Sequence, residues 1–229
     1  MEFILFTTLS LMVCTIFFKN YNIVSKRFKL IDRKNLHYAN NITPTGSGVI
    51  FSIIFISGVI FFYFLGFFKD LVPNRLYLLL ISSFILSLTS FRDDMKSIDP
   101  ILRLLIQFIC VYISLSCLNL GGIDIPFTLL IIFIFIIWIY ITNITNFIDG
   151  TDGFLISHVI FTLINTILLH NIGLNIFSVY ISIIILPCAL IFLYFNIPKA
   201  KIFMGDAGSI FFGFIIGYIC LEISLNGNW

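Results

Sequence analysis

Two adjacent carboxylates, Asp93 and Asp94, stand out in a chain in which only 10% of the residues are charged. Neighbouring carboxylates repel each other, and they coexist when a cation lies nearby or when one pKa is raised. A hard cation such as Mg²⁺ binds one or two carboxylates and keeps its other positions for water and phosphate. Because adjacent side chains diverge by about 100° on a helix, one carboxylate could bind metal or lysine while the other transfers a proton. The alternative is a solvated turn between helices.

The segment Asn143–Gly153 concentrates polar side chains between two apolar runs. Asn143 and Asn146 are one helical turn apart and share a face, and carboxamides hydrogen-bond well to base edges and ribose hydroxyls. Asp149 and Asp152 follow with the same spacing, each directly before a glycine that permits a tight backbone. The segment therefore predicts one wall of a nucleotide site, and a polar helix exit followed by a turn is the alternative.

A further carboxylate lies in a loop that contains two glycines. Gly205 and Gly208 flank Asp206 where the last apolar run begins, and Ser209 is a plausible N-cap. A glycine loop that leads into a helix N-terminus offers free amides to a phosphate, and Asp206 would bind the accompanying metal. Ordinary helix capping by Gly and Ser explains the same residues without a ligand.

Two more segments could assist such a site. Thr43–Gly48 repeats the Gly-Ser arrangement at the start of the second apolar run. Arg103 and Gln107 are four residues apart and so share one helix face. Arg103 is either a basic anchor that extends to the membrane interface or a residue that helps to hold a phosphate.

The composition indicates the elements that must position these residues. Mean hydropathy is +1.12 and 60% of the residues are hydrophobic, whereas a soluble domain carries about 25% charged residues. In lipid only helices and closed barrels satisfy the backbone, and apolar runs this long lack the alternation of a barrel strand. The sequence thus predicts an all-α polytopic membrane protein, a single domain over 1–229 with about eight transmembrane helices. The predicted spans are 3–18, 46–68, 76–91, 101–118, 127–148, 154–169, 176–195 and 209–225.

The distribution of positive charge predicts the orientation. Eight spans place eleven Lys and Arg residues at one side and two, Lys69 and Arg75, at the other. The positive-inside rule puts the first side in the cytoplasm. The first apolar run is interpreted as a retained span with a periplasmic N-terminus, because basic residues follow it and no small-residue cleavage site appears. The segments Thr43–Gly48, Arg92–Asp99, Asn143–Gly153 and Lys201–Ser209 all fall on the predicted cytoplasmic side.

The cysteines and histidines suggest no further site. All five cysteines lie in apolar runs without CxxC spacing, which predicts small packing residues. The three histidines are scattered and predict no metal cage. The apolar composition favours the lipid bilayer as a partner, and no nucleic acid is expected; the net charge of +2 says little by itself.

Taken together, these segments resemble the polyprenyl-phosphate N-acetylhexosamine-1-phosphate transferase family, also called glycosyltransferase family 4, which includes phospho-N-acetylmuramoyl-pentapeptide transferases. The pattern NxxNxxDGxDG is matched at every specified position, and PxKIFMGDxGSxFxG is similar. An Asp-Asp pair with its following helix and a TPTxGG-like loop also resemble the family. The matching residues are Asn143–Gly153, Asn196–Gly213, Asp93 and Asp94 with Arg103 and Gln107, and Thr43–Gly48.

The resemblance implies transfer of a sugar 1-phosphate from a UDP-sugar to undecaprenyl phosphate, with release of UMP. It implies a cytoplasmic, Mg²⁺-dependent active site, with Mn²⁺ as the alternative ion, in the bacterial inner (plasma) membrane. The product would initiate a cell-wall or O-antigen-like polysaccharide. UDP-sugar, undecaprenyl phosphate and the bilayer are the expected partners, and a homodimer is one expected assembly.

The resemblance also implies roles for individual residues. Asp206 and Asp149 become the expected metal ligands, and Asp93 and Asp94 become the catalytic carboxylates near the lipid phosphate, one of them the candidate base. The expected substrate-binding residues are Asn143, Asn146, Asp149, Asp152, Lys201, Gly205, Gly208, Ser209, Thr45 and Gly46.

Two departures from the family pattern keep other functions open. Arg92 stands where the family usually has an apolar residue, and the chain ends at Trp229 without the family's last spans and their His-containing loop. The alternative is therefore an inactive, truncated family member that acts as a membrane assembly partner. An ion-coupled transporter is a third reading, although its ionisable residues would lie near the membrane midplane rather than at span ends.

Overall fold

A computed structural model describes residues 2–28, 30, 43–68, 73–118, 127–169, 176–197 and 199–226. Within these ranges the chain forms helices and no β-strand, which confirms the all-α prediction. One 3-10 turn, Leu115–Cys117, follows the fourth helix. The helices are α1 (Glu2–Phe28), α2 (Val49–Phe64), α3 (Pro73–Met95), α4 (Pro100–Ser114), α5 (Phe127–Ile148), α6 (Phe154–Leu168), α7 (Ile176–Asn196) and α8 (Gly205–Asn226).

Six of these helices are long and apolar enough to cross a membrane, which confirms a multi-pass membrane protein. The other two, α2 and α6, have 16 and 15 residues, fewer than the roughly 20 needed for a full span. Both are apolar, and their status as spans stays a prediction.

The ends of the helices differ from the predicted spans where polar residues continue a helix. The structure extends α1 to Phe28, ten residues beyond the predicted end at Phe18. A hydropathy criterion stops at Lys19, but a helix continues wherever its backbone bonds can form. At about 1.5 Å per residue, the 27 residues of α1 exceed the roughly 30 Å hydrocarbon core, so its last turns leave the bilayer interior.

The helix α8 forms the centre of the bundle. It packs against α2, α3, α5 and α6, and every residue from Ala207 to Ile219 is buried. A helix that is apolar on all sides is expected to be surrounded in this way. On α5, Thr142 and Trp138 face Gly213 and Gly217, where an added Cβ would lie 2.7 and 2.5 Å from their nearest atoms. Small residues at this spacing let two helices in lipid approach closely.

The thiols agree with the packing prediction. No disulfide joins two cysteines in the part of the chain that the structure describes; Cys14, Cys110 and Cys188 are buried, Cys117 is half-buried and Cys220 is exposed. His158 is exposed on α6. His37 and His170 lie outside the described residues, so the prediction made for them is not addressed by the structure.

The polar segments meet at one end of the bundle. Gly48 N–H donates to the Met204 carbonyl over 2.9 Å, and Phe203 N–H donates to the Pro44 carbonyl over 2.8 Å. The loop before α2 is thereby joined to the loop before α8, although about 160 residues separate them in the sequence. The ends of α3 and α5 lie at this same end of the molecule.

Candidate active site

The carboxylate of Asp94 accepts hydrogen bonds from the first turn of α8. Its Oδ1 accepts from Asp206 N–H over 3.0 Å, and its Oδ2 accepts from Ala207 N–H over 3.2 Å. The first amides of a helix have no partner within the helix, and the positive end of the helix dipole favours an anion there. Asp94, at the end of α3, therefore caps α8 from a different helix.

Two glycines with positive φ let the backbone close around this carboxylate. Gly205 has φ +71°, and a Cβ there would lie 2.5 Å from Asp94 Oδ2 and 2.7 Å from the Gly46 nitrogen. Gly46 has φ +80°, and its Cβ would lie 3.4 Å from the same oxygen. The hydroxyl of Tyr21 donates to the Thr45 carbonyl over 2.7 Å and holds this loop from α1. Thr45, Gly46 and Gly205 thus shape the surroundings of Asp94.

Two amides at the start of α8, those of Asp206 and Ala207, are not free for a phosphate as the sequence-based expectation required, because the Asp94 oxygens accept from them. The prediction that Ser209 is the N-cap is wrong, since α8 begins at Gly205 and Ser209 lies one turn inside it. The Ser209 hydroxyl instead donates to Asn146 Oδ1 over 2.6 Å. Gly208 packs against Gly48, whose added Cβ would lie 2.2 Å from the Gly208 Cα. Substrate contacts by these residues stay predictions.

Arg103 links two of the carboxylates. Its Nη1 donates to Asp93 Oδ2 and to Asp206 Oδ2, each over 2.8 Å. The position of Arg103 follows from a strong helix start: Asp99 Oδ1 accepts from Ile101 N–H over 2.8 Å, and proline occupies the first helical position of α4. The side chain of Arg103 is 30% exposed, and among the described residues it forms hydrogen bonds only through Nη1. Its other guanidinium N–H groups are therefore oriented by the carboxylates and accessible to an anion.

The two asparagines of α5 face different neighbours. Asn143 Nδ2 donates to Gln107 Oε1 over 2.8 Å and to the Ile139 carbonyl over 2.9 Å. Asn146 Oδ1 accepts from Ser209 on α8. The two carboxamides therefore connect α5 to α4 and to α8 on either side of the cluster.

Asp149 lies directly after α5, close to the carboxylates of Asp206 and Asp94. Burial, and then the negative charges of Asp206 and Asp94, raise the pKa of Asp149 to about 8. No described residue donates a hydrogen bond to its carboxylate. An acid in these surroundings either holds a proton or lies beside a cation.

Asp152 and Lys201 lie at the edge of the cluster. Asp152 Oδ2 accepts from Ala200 N–H over 2.8 Å, on the exposed side of the loop before α8. Lys201 places its Nζ 5.8 Å from the centre of the Tyr194 ring. Neither side chain contacts the central carboxylates among the described residues, so substrate binding by Asp152 and Lys201 stays a prediction.

The structure adds two residues to the site that the sequence patterns did not assign. Asn196 is buried, accepts from Gly153 N–H over 2.8 Å and donates to the Ile202 carbonyl over 2.9 Å. Tyr21 supports the loop next to Asp94. Asn196 stands at the start of a recognised motif, which was a usable signal, but Tyr21 lies in the polar segment after the first predicted span and far from any motif.

The cluster fits a hard divalent cation that takes both protein carboxylates and phosphate oxygens as ligands. Among the described residues, no three His, Cys, Asp or Glu side chains are grouped closely enough to hold a metal alone. Mg²⁺ does not need such a cage, because it commonly takes one or two carboxylates and completes its shell with water and phosphate oxygens. Asp149, with its raised pKa and no hydrogen-bond donor, and Asp206 beside it are the residues suited to hold the ion.

Carboxylates, an arginine and carboxamides meet at one end of a bundle of apolar helices, which defines a membrane protein with a charged, polar site at that end. The family model for glycosyl transferase family 4 matches residues 76–224. The chain belongs to this family.

Curated relatives agree with this assignment. The chain is 33% identical to a phospho-N-acetylmuramoyl-pentapeptide-transferase of Petrotoga mobilis over 214 residues, covering 83% of this chain and 64% of the relative. It is 30% identical to the protein of the same name from Streptococcus uberis, covering 84% and 62%. A Bacillus subtilis protein named "Probable undecaprenyl-phosphate N-acetylglucosaminyl 1-phosphate transferase" is 27% identical, covering 65% and 44%. The chain thus spans less than two thirds of the length of these relatives.

Proposed function

We propose that this protein transfers a sugar 1-phosphate of the N-acetylhexosamine type from a UDP-sugar to undecaprenyl phosphate and releases UMP. The observation that carries the proposal is the convergence of Asp94, Asp149 and Asp206 with Arg103 at one end of the bundle. Membership of glycosyl transferase family 4 and the names of the relatives support the reaction class. The lipid-linked product would start a cell-wall or O-antigen-like polysaccharide.

The reaction asks the protein mainly to position charged groups. An oxygen of the lipid phosphate forms a bond to the sugar-bearing phosphorus of the UDP-sugar, and the bond to the bridging oxygen breaks to release UMP. Catalysis of phosphoryl transfer rests on orientation and electrostatic stabilisation. Arg103, held by Asp93 and Asp206, would bind a phosphoryl group. Asn143 and Asn146 would contact the nucleotide.

Asp206 and Asp149 would hold Mg²⁺ in this proposal. When bound, the ion would neutralise part of the negative charge of the pyrophosphate. The Asp94 oxygens already accept two backbone N–H groups. Asp94 would therefore fix α8, and with it Asp206, in a constant position during turnover.

The charge distribution supports a cytoplasmic active site in a bacterial inner membrane. The topology predicted from the sequence assigns eleven of the thirteen Lys and Arg residues to the side of the polar motifs, and the positive-inside rule makes that side cytoplasmic. UDP-sugars would then reach the carboxylates from the cytoplasm, and the lipid phosphate would reach them from the bilayer.

The test is UMP release in membranes that contain the protein, undecaprenyl phosphate, Mg²⁺ and a UDP-N-acetylhexosamine. We expect release that requires both substrates and stops when the divalent cation is chelated. No release with UDP-N-acetylglucosamine under conditions in which the Bacillus subtilis relative releases UMP would contradict the proposal and favour an inactive assembly partner.

A further inference from the structure

The side-chain amide of Gln107 has an orientation that its neighbours determine. Asn143 Nδ2 lies 2.9 Å from the Ile139 carbonyl, which can only accept a hydrogen bond. The Asn143 amide must therefore direct its NH₂ group toward both the carbonyl and Gln107. Gln107 in turn must present Oε1 to Asn143, over 2.8 Å, and direct its own NH₂ group elsewhere.

That NH₂ group is buried and has no partner. Gln107 is 1% exposed, and its Nε2 makes no hydrogen bond among the described residues. A buried donor without an acceptor destabilises the fold. Natural proteins keep such groups chiefly where a ligand, an ion or an ordered water completes them.

The position of Gln107 indicates what kind of acceptor would complete it. Arg103 lies one turn away on the same face of α4, and Arg103 contacts the carboxylates of Asp93 and Asp206. Asn143, on the other side of Gln107, belongs to the motif of α5. An acceptor that reaches Nε2 from the cluster enters next to a guanidinium, which selects an anion such as a phosphoryl oxygen.

We propose that Gln107 is a further substrate-binding residue, whose Nε2 donates to a phosphoryl oxygen while its Oε1 fixes the orientation of Asn143. The inference rests on the proposed function and deepens it. The phosphoryl oxygen comes either from the lipid phosphate or from the nucleotide diphosphate, and separate measurements with the two ligands distinguish these sources.

A second buried polar atom on the same helix provides a matched control. Ser114 Oγ is also buried and without a partner, but it lies seven residues beyond Gln107, about 10 Å further from Arg103 along α4. No cation or carboxamide of the cluster contacts Ser114 among the described residues. Ser114→Ala therefore removes an equally buried polar group outside the proposed ligand contacts.

The experiment measures dissociation constants of the full chain in detergent for undecaprenyl phosphate and, separately, for UDP-N-acetylglucosamine. Gln107→Met is neutral and similar in length, and it removes the donor. We expect it to weaken one of the two ligands about ten- to a hundredfold, as for a hydrogen bond to a charged group. Its melting temperature should not fall by more than that of Ser114→Ala. Gln107→Glu keeps an acceptor for Asn143 but places a carboxylate at Nε2, so it should weaken the same ligand further.

Two outcomes would overturn the inference. One is a Gln107→Met protein that binds both ligands with wild-type affinity; the other is a loss of folding in both Gln107 variants, which would assign the residue a structural role alone. If the wild-type protein binds neither ligand, the proposed function itself fails. If it binds them and Gln107→Met matches Ser114→Ala, only the inference about Gln107 fails.

Discussion

At the scale of single residues, Asp206 has two separate functions in its backbone and its side chain. Its backbone N–H donates to the carboxylate of Asp94, and its own carboxylate accepts a hydrogen bond from Arg103. A substitution that keeps the backbone can therefore change the charge of the cluster without removing the cap. This separation makes Asp206 the most informative position for a test of the proposed metal site.

We expect Asp206→Asn to lower turnover by about a hundredfold or more and to raise the Mg²⁺ concentration needed for activity, because a charged ligand becomes neutral. Turnover at several Mg²⁺ concentrations is the measurement. Asp99→Asn is the matched control, because Asp99 is the exposed N-cap of α4 and Asn caps helices equally well. Wild-type turnover in Asp206→Asn would show that the metal assignment is wrong.

Asp149 should make the stability of the metal-free protein depend on pH. An unfolded aspartate has a pKa of about 3.9, whereas the folded pKa is raised to about 8. The proton is thus held more tightly in the folded state, and the stabilisation is complete below pH 4 and lost as the pH rises through 8. Melting temperatures between pH 5 and pH 8 with a chelator present should fall with rising pH, and less so for Asp149→Asn. An equal slope in both proteins would contradict the raised pKa.

The sequence predicted the residues of the cluster better than their partners. The spacing of Asn143 and Asn146 predicted that both lie on one helix face near Asp149, because helical periodicity is a local property. It could not show that Asp94 would occupy the amides of α8. That contact depends on how α3 packs against α8, and no pattern within a short segment encodes the distance between two helices.

At the scale of helices, glycines control how closely the elements approach. A Cβ on Gly48 would lie 2.2 Å from the Gly208 Cα and 2.9 Å from the Met204 carbonyl oxygen. Both neighbours are backbone atoms, so neither can rotate away. The start of α2 can therefore contact α8 only with a glycine at this position.

We expect Gly48→Ala to separate α2 from α8. The free energy of unfolding should fall by about 1–3 kcal/mol or more, as for other overpacked cores. Thermal unfolding in detergent measures the effect. Gly150→Ala is the matched control, because its Cβ would meet its nearest atom only at 3.9 Å. Equal melting temperatures for the two variants would show that the contact between Gly48 and Gly208 is looser than described.

The boundaries of helices were predicted less well than their number. Every predicted span corresponds to a helix, since a long apolar run in lipid has few alternatives. α8 begins at Gly205 rather than at residue 209 because Asp94 supplies acceptors for its first amides from outside the segment. Hydropathy along the chain contains no information about such a cap.

At the scale of the whole molecule, the polar segments and the two ends of the bundle define an orientation that can be measured. Ser97 lies beyond α3 at the end with the carboxylates, and Ser224 lies near the end of α8 at the other; both are exposed. The alternation of helices predicts that these residues face opposite sides of the membrane.

A membrane-impermeant maleimide should label Ser224→Cys in intact cells, and it should label Ser97→Cys only after the cells are opened. Both variants need the exposed Cys220 replaced by serine. The reverse pattern would place the carboxylates outside the cytoplasm and contradict the proposed access of UDP-sugar. Equal labelling of both positions from both faces would favour a water-filled path through the molecule.

The hydrogen bonds between Asp94 and the start of α8 can form only late in the synthesis of the protein. Asp94 emerges from the ribosome 112 residues before its partner Asp206, which at about 5–20 residues per second is a delay on the order of ten seconds. During that interval α3 can enter the membrane, but its last turn has no amides to receive the Asp94 carboxylate. The end of the bundle that carries the carboxylates would therefore be assembled only after α8 is inserted. A nascent chain released before α8 would leave the Asp94 carboxylate without these two amide donors.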